Sequence, residues 1–181
     1  MYKAYLLLLT MLFLLISGCA TTSVTGDITV DVNHLQGTDF TAYKTFGWIG
    51  SSLIINDPEG KWQLPKFPMA SDIKEAIEIE LLKRGIAKVT KEEPDMYVFY
   101  GIGAETAPKG NTTEEIQHKK ELMKNIPKGT LGVALIDAGN GKPVWNGIAS
   151  GKLMEKPSKE IFTERLNYVI KEMLKDSVIN R

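Results

Sequence analysis

Cys19 is the only cysteine in the 181-residue chain. No internal disulfide can staple this protein, so its fold must rest on a packed core. The length suits a single domain with a core of useful size. Ile28, Val30 and Val32 alternate with Thr29 and Asp31, the pattern of a half-buried strand. Residues 45–49 form a second, aromatic-rich strand candidate. Residues 51–67 carry Pro58, Gly60, Trp62 and Pro65 without periodicity and read as an irregular loop. A helix is expected over residues 72–84: Asp72 and Glu75 make a capping-box pattern, Gly85 sits where a helix stops, and Ile73, Ala76, Ile77 and Leu81 form one stripe.

Further along, residues 86–89 suggest a short strand. Residues 96–102, apolar on both faces, suggest a central one. Residues 112–124, rich in Glu and Lys, read as an exposed helix or loop. Residues 131–136 and 144–152 are two strands joined by a hairpin turn over 137–143. Ser158 caps a last helix whose Phe162, Leu166, Val169, Ile170, Met173 and Leu174 share one face. Strands joined by hairpins, with helices set among them, imply an α+β fold. The expected form is a mostly antiparallel sheet with two main helices packed on one face.

Charge narrows the partners. The chain has 22 basic and 22 acidic residues, and losing the N-terminal segment with Lys3 leaves 21 against 22, about one net negative charge. Such a domain lacks the field that draws nucleic acid, so no nucleic-acid partner is expected.

The context of Cys19 is more informative than its solitude. A short positive start ending at Lys3 is followed by an apolar run over residues 4–16 and then Ser17-Gly18-Cys19, the parts of an export signal. The run falls short of the roughly 20 residues that span a bilayer as a helix. Ile16-Ser17-Gly18-Cys19 resembles the bacterial lipobox. That resemblance implies a thioether between the Cys19 thiol and diacylglycerol, cleavage before Cys19, and acylation of the new amino group, for instance with palmitate. Two or three chains anchor stably where one binds only marginally. Residues 1–18 are then a cleaved signal peptide and residues 19–26 a lipidated flexible tether of roughly 20–25 Å. Residues 27–181 make the single globular domain. Ala20, in place of the Asp that retains lipoproteins in the inner membrane, points to the periplasmic face of the outer membrane of a Gram-negative bacterium.

Signs of catalysis are scarce. His34 and His118 are the two histidines, neither in a metal-ligating spacing, and no cofactor or metal site is expected. Ser150, in Gly147-Ile148-Ala149-Ser150-Gly151, is not on a nucleophile elbow and reads as a sheet-surface serine. Gly101-Ile102-Gly103 and the glycines at 129 and 132 lack the rest of a phosphate-binding loop. Glu92-Glu93 and Glu114-Glu115 are adjacent pairs facing solvent rather than a substrate. Trp48, Trp145, Tyr43, Phe46, Tyr97 and Tyr100 are read mainly as core. Trp62, in a loop between prolines, is the aromatic residue that suggests a ligand or partner surface. Asp137 is read as a turn residue bonding backbone amides.

Three segments resemble a family of bacterial lipoproteins known as domain of unknown function 4136 (DUF4136). They are the run from Asp39 to Trp48 (DFTAYKTFGW), the run from Pro94 to Tyr100 (PDMYVFY), and Gly132-Val133-Ala134-Leu135-Ile136-Asp137 with the run from Val144 to Gly151 (VWNGIASG). The resemblance implies an envelope lipoprotein with an α+β domain, and it carries no catalytic residues over. The leading expectation is a non-catalytic, lipid-anchored binding or assembly module, joined to the membrane through Cys19 and meeting a protein, glycan or lipid partner. The alternatives are an envelope enzyme with a dispersed active site and a structural subunit of an envelope complex.

Overall fold

A computed structural model describes residues 23–57, 63–105, 128–154 and 156–175. Among these residues six strands and two α-helices follow one another, with one 3-10 turn (Phe40–Ala42) before β2: β1 (Thr29–His34), β2 (Thr45–Asn56), α1 (Met69–Lys83), β3 (Ala87–Lys88), β4 (Met96–Glu105), β5 (Lys128–Asp137), β6 (Pro143–Lys152) and α2 (Lys159–Lys175). The strands form one sheet in the order β1-β6-β5-β4-β2-β3. Pairings β1–β6, β5–β6 and β4–β5 are antiparallel, whereas β2–β4 and β2–β3 are parallel. The fold is α+β, but the sheet is mixed and not mostly antiparallel as expected. Hairpin signals reveal antiparallel neighbours only. The parallel neighbours need a crossover, and α1, lying between β2 and β3, supplies it.

Paired residues share a face of the sheet, so the register sorts the side chains. Phe46 and Trp48 of β2, Met96, Val98 and Tyr100 of β4, Leu131, Val133 and Leu135 of β5, and Trp145 and Ala149 of β6 lie on one side. Both helices pack there. Ile73, Ile77 and Leu81 of α1 and Leu166, Ile170 and Met173 of α2 join these residues in one buried cluster. Close approach is bought at Gly147: a Cβ there would lie 2.8 Å from the Trp145 ring and 3.1 Å from Met173.

β2 is longer than expected. It runs on through residues 51–56, placed in the sequence reading within an irregular loop. The ladder with β4 slips between Trp48 and Gly50, and this bulge at Ile49 shifts the phase of alternation. The helix-facing set is therefore Phe46 and Trp48 before the bulge but Ser51, Leu53 and Ile55 after it, which hides the period from a simple count.

α1 also starts earlier than expected, at Met69 after Pro68, with no side-chain cap. Asp72 is thus not its cap but a first-turn residue, where a negative charge suits the helix dipole. Gly85 ends the helix as expected. At φ 75° its N–H donates to the Leu82 carbonyl and that of Ile86 to Leu81, the Schellman arrangement. Ser158 caps α2: the Ile161 N–H donates to its Oγ at 3.3 Å.

Residues 24–27 form a turn. It is closed by the Ile28 N–H donating to the Thr25 carbonyl at 3.0 Å. The part of the expected tether that precedes the described chain is therefore residues 19–22.

Candidate functional site

The two helices run in the same direction over the sheet. Their C-terminal ends are pinned together, because Arg84 donates from Nε and Nη2 to the Leu174 carbonyl at 3.1 and 2.8 Å. At the other end Lys159 approaches Asp72 at 3.7 Å, and the rings of Phe67 and Phe162 meet at 5.0 Å. Between these N-terminal halves and the sheet lies a cleft of about 170 Å³. Met69 and Ile73 of α1 and Phe162, Leu166 and Val169 of α2 form its walls. Ile102, Leu131 and Ala149 form its floor, and Leu153, Met154 and Pro157 close one side. Gly129 and Gly151 face the helices at this end of the sheet and leave room for Leu153 and Arg165, which border the cleft.

A charged group stands at its edge. The Thr130 and Ser150 hydroxyls, 3.3 Å apart, belong to the other face of the sheet, in register with Gly103. Arg165 donates from Nη1 to Asp27 Oδ1 at 2.6 Å and from Nη2 to Asp27 Oδ2 at 2.9 Å, and it also holds the Val24 carbonyl. Asp27 in turn accepts the Lys152 backbone N–H at 2.5 Å. The hydrogen bond from Arg165 chiefly holds the Asp27 carboxyl down, at about 2 against an ordinary 3.8. This latch fastens the incoming chain beside the cleft. Nothing in the sequence signalled it, since the two residues lie far apart along the chain.

The segments of the family resemblance converge at the opposite end of the sheet. Asp95 Oδ2 accepts the N–H groups of Lys44 and Thr45, each at 2.8 Å, and the Thr45 hydroxyl at 2.9 Å. The Asp95 carbonyl accepts from the Ala138 N–H at 3.0 Å. Tyr43 donates its hydroxyl to Asp137 Oδ2 at 2.6 Å, and Asp137 Oδ1 accepts the Asn140 N–H at 2.9 Å. Asp137 therefore does the turn work expected of it and also ties the hairpin to the segment before β2. Burial chiefly, with the Asp137 bond behind it, pushes the Tyr43 phenol up to about 12. The Asp95 and Asp137 carboxylates are both engaged by neighbouring donors, so these motif residues hold strand ends together.

Other residues singled out by the sequence scatter. Ser150 stands in β6 and Gly101 to Gly103 within β4, in strands rather than phosphate-binding loops. His34 is exposed at the end of β1, and Glu92 and Glu93 are exposed. Phe46, Tyr100 and Trp145 are core. Trp48 is half-buried and donates its indole N–H to Glu78 at 2.8 Å, with Lys74 over its ring at 5.4 Å. Tyr97 is half-buried on the other face of the sheet. Cys19, Trp62, His118, Glu114 and Glu115 lie outside the described residues. Among the described residues no three His, Cys, Asp or Glu gather as a metal ion would require, and no helix is long and apolar enough to cross a membrane.

The architecture is thus a two-layer α+β domain with an apolar cleft at one end and a hydrogen-bonded clasp at the other. The chain belongs to the family described as domain of unknown function (DUF4136), whose model matches residues 30–177. A DUF4136 family protein from Bacteroides thetaiotaomicron has a similar structure over 85% of this chain and 98% of its own, at 12% identity and a TM-score of 0.54. A PDZ domain protein from Parabacteroides distasonis is similar over 83% of this chain and 36% of its own, at 17% identity and a TM-score of 0.52. At these identities the likeness is one of fold. No match was found among curated proteins.

Proposed function

We propose that this chain is a lipid-anchored lipoprotein of the bacterial cell envelope that acts as a non-catalytic binding module and takes an apolar ligand into the cleft. The anchoring rests on Ile16-Ser17-Gly18-Cys19 after a short apolar run. Ala20 favours the periplasmic face of the outer membrane as its location. The binding role rests on one observation, the apolar cleft of about 170 Å³ between both helices and the sheet. A concave, mostly apolar site with a few polar groups at its edge is the usual form of a small-ligand site.

Two measurements test the reading. Metabolic labelling with palmitate should mark the wild-type protein and leave Cys19→Ser unlabelled; equal label in both would refute the anchor. An environment-sensitive apolar dye should bind saturably to the lipidated protein. Ala149→Leu, which fills the cleft from its floor, and Met154→Glu, which puts charge in its side wall, should both abolish that binding. Dye binding unaffected in either folded variant would remove the cleft from the proposal.

A further inference from the structure

The geometry points to a specific occupant for the cleft: an acyl chain of a phospholipid in the leaflet that carries the anchor. This rests on the lipidation of Cys19 proposed above and names the ligand of the same site.

Three features converge on it. The first is position. Arg165 lines the cleft and grips both Val24 and Asp27, so the chain enters the domain at the cleft and not at the clasp. From Cys19 to Ser23 an extended backbone spans at most about 14 Å at roughly 3.3–3.6 Å per residue. The cleft is thereby held at the headgroup layer.

The second feature is an apolar ledge leading into the cleft. Leu53 pairs in register with Ile102 on the helix-facing side of the sheet, and Ile55 follows it on the same side. They are 45% and 46% exposed, and Leu64 nearby in sequence is 49% exposed. Exposed apolar side chains held at the headgroup layer give a bilayer-facing surface rather than a solvated one.

The third is polarity. The cleft is lined mainly by apolar side chains, and the charge of Arg165 at its edge is already met by Asp27. An apolar interior with no unpaired charge facing it complements an acyl chain. The Cys19 lipid has the same acyl chemistry, but drawing one of its three chains into the protein would leave the anchor two and reduce its hold on the membrane. A leaflet phospholipid carries no such cost.

The test uses the lipidated full-length protein in vesicles of phosphatidylethanolamine and phosphatidylglycerol, a small fraction of the latter bearing a diazirine in one acyl chain. After irradiation, adducts are mapped by mass spectrometry. Adducts are expected on Leu131, Phe162 and Leu166, falling several-fold in Ala149→Leu and in Met154→Glu, with circular dichroism confirming that each variant is folded. Adducts confined to the tether and ledge, or cleft adducts unchanged in both folded variants, would overturn the proposal. In a second arm, the protein is purified from cells fed a diazirine-bearing palmitate and placed in unlabelled vesicles, so that only the Cys19 lipid carries the probe. Cleft adducts from this anchor, with none from the vesicle lipid, would assign the cleft to the protein's own lipid and overturn the proposal too. Intact mass separates the two levels. A protein without the Cys19 lipid refutes the anchoring reading itself, whereas a lipidated protein without cleft adducts refutes only the acyl-chain assignment.

Discussion

Replacing Asp27 by Asn should cost about 1 kcal/mol of stability at neutral pH, and the cost should vanish in acid. In the folded protein the hydrogen bond from Arg165 holds the Asp27 carboxyl at about 2 against an ordinary 3.8. That displacement corresponds to roughly 2.4 kcal/mol of preference for the charged form, at about 1.36 kcal/mol per pH unit. The Asp27 side chain is 37% exposed and Arg165 17%, so solvent screening reduces the contribution to about 1 kcal/mol. The folded-state value is depressed, so this stability is complete above the unfolded value of 3.8 and drains away as pH falls toward about 2. Asparagine keeps the shape and one acceptor but not the charge, which isolates the electrostatic part. Urea unfolding of wild type and Asp27→Asn across this pH range supplies the gap directly. A gap absent at about pH 7, or one that stays constant down to about pH 2, would show that the Arg165 latch is not the source. The latch holds the chain beside the cleft, so the same variant should also lower cleft labelling by membrane lipid.

Three other substitutions probe the frame of the site. Gly147→Ala should destabilise by about 1–3 kcal/mol, because the new Cβ would lie 2.8 Å from Trp145; a neutral result in thermal melts would mean that Met173 and the tryptophan relax freely. Gly85→Ala should cost about 1–2 kcal/mol, since φ is 75° there, and an unchanged urea midpoint would refute that strain. Tyr43→Phe removes the donor to Asp137 and should cost about 1.5–3 kcal/mol, the range for bonds to charged groups. In the wild type the raised Tyr43 value means that its contribution is intact below 10 and lost as pH rises toward about 12. Alkaline unfolding of Tyr43→Phe should therefore lack that component, and identical alkaline profiles would count against the Tyr43–Asp137 bond.

Much of the architecture was legible because it is written in local periodicity. The stripe of α2, the stop at Gly85 and the hairpin after Asp137 are each set by residues within a few positions of one another, and each appears where expected. The clasp was half legible: Asp95, Tyr43 and Asp137 stood out inside family segments, but their meeting depends on β4 lying between β2 and β5. The cleft was not legible. Its walls are ordinary helix stripes, and its floor and sides come from strands and loops that only the tertiary fold brings beneath both helices.

By itself the sequence determined a domain without cysteine, its order of strands and helices, and the cysteine motif through which it is proposed to reach a membrane. These are properties of neighbouring residues, and short-range sterics and hydrophobic spacing suffice to specify them. Only the tertiary structure decided that the sheet is mixed, that β2 continues beyond its bulge, and that Asp27 and Arg165 fasten the start of the chain beside an apolar cleft. Those depend on contacts between residues distant in sequence, whose pairing follows from burying one shared face and not from any local pattern.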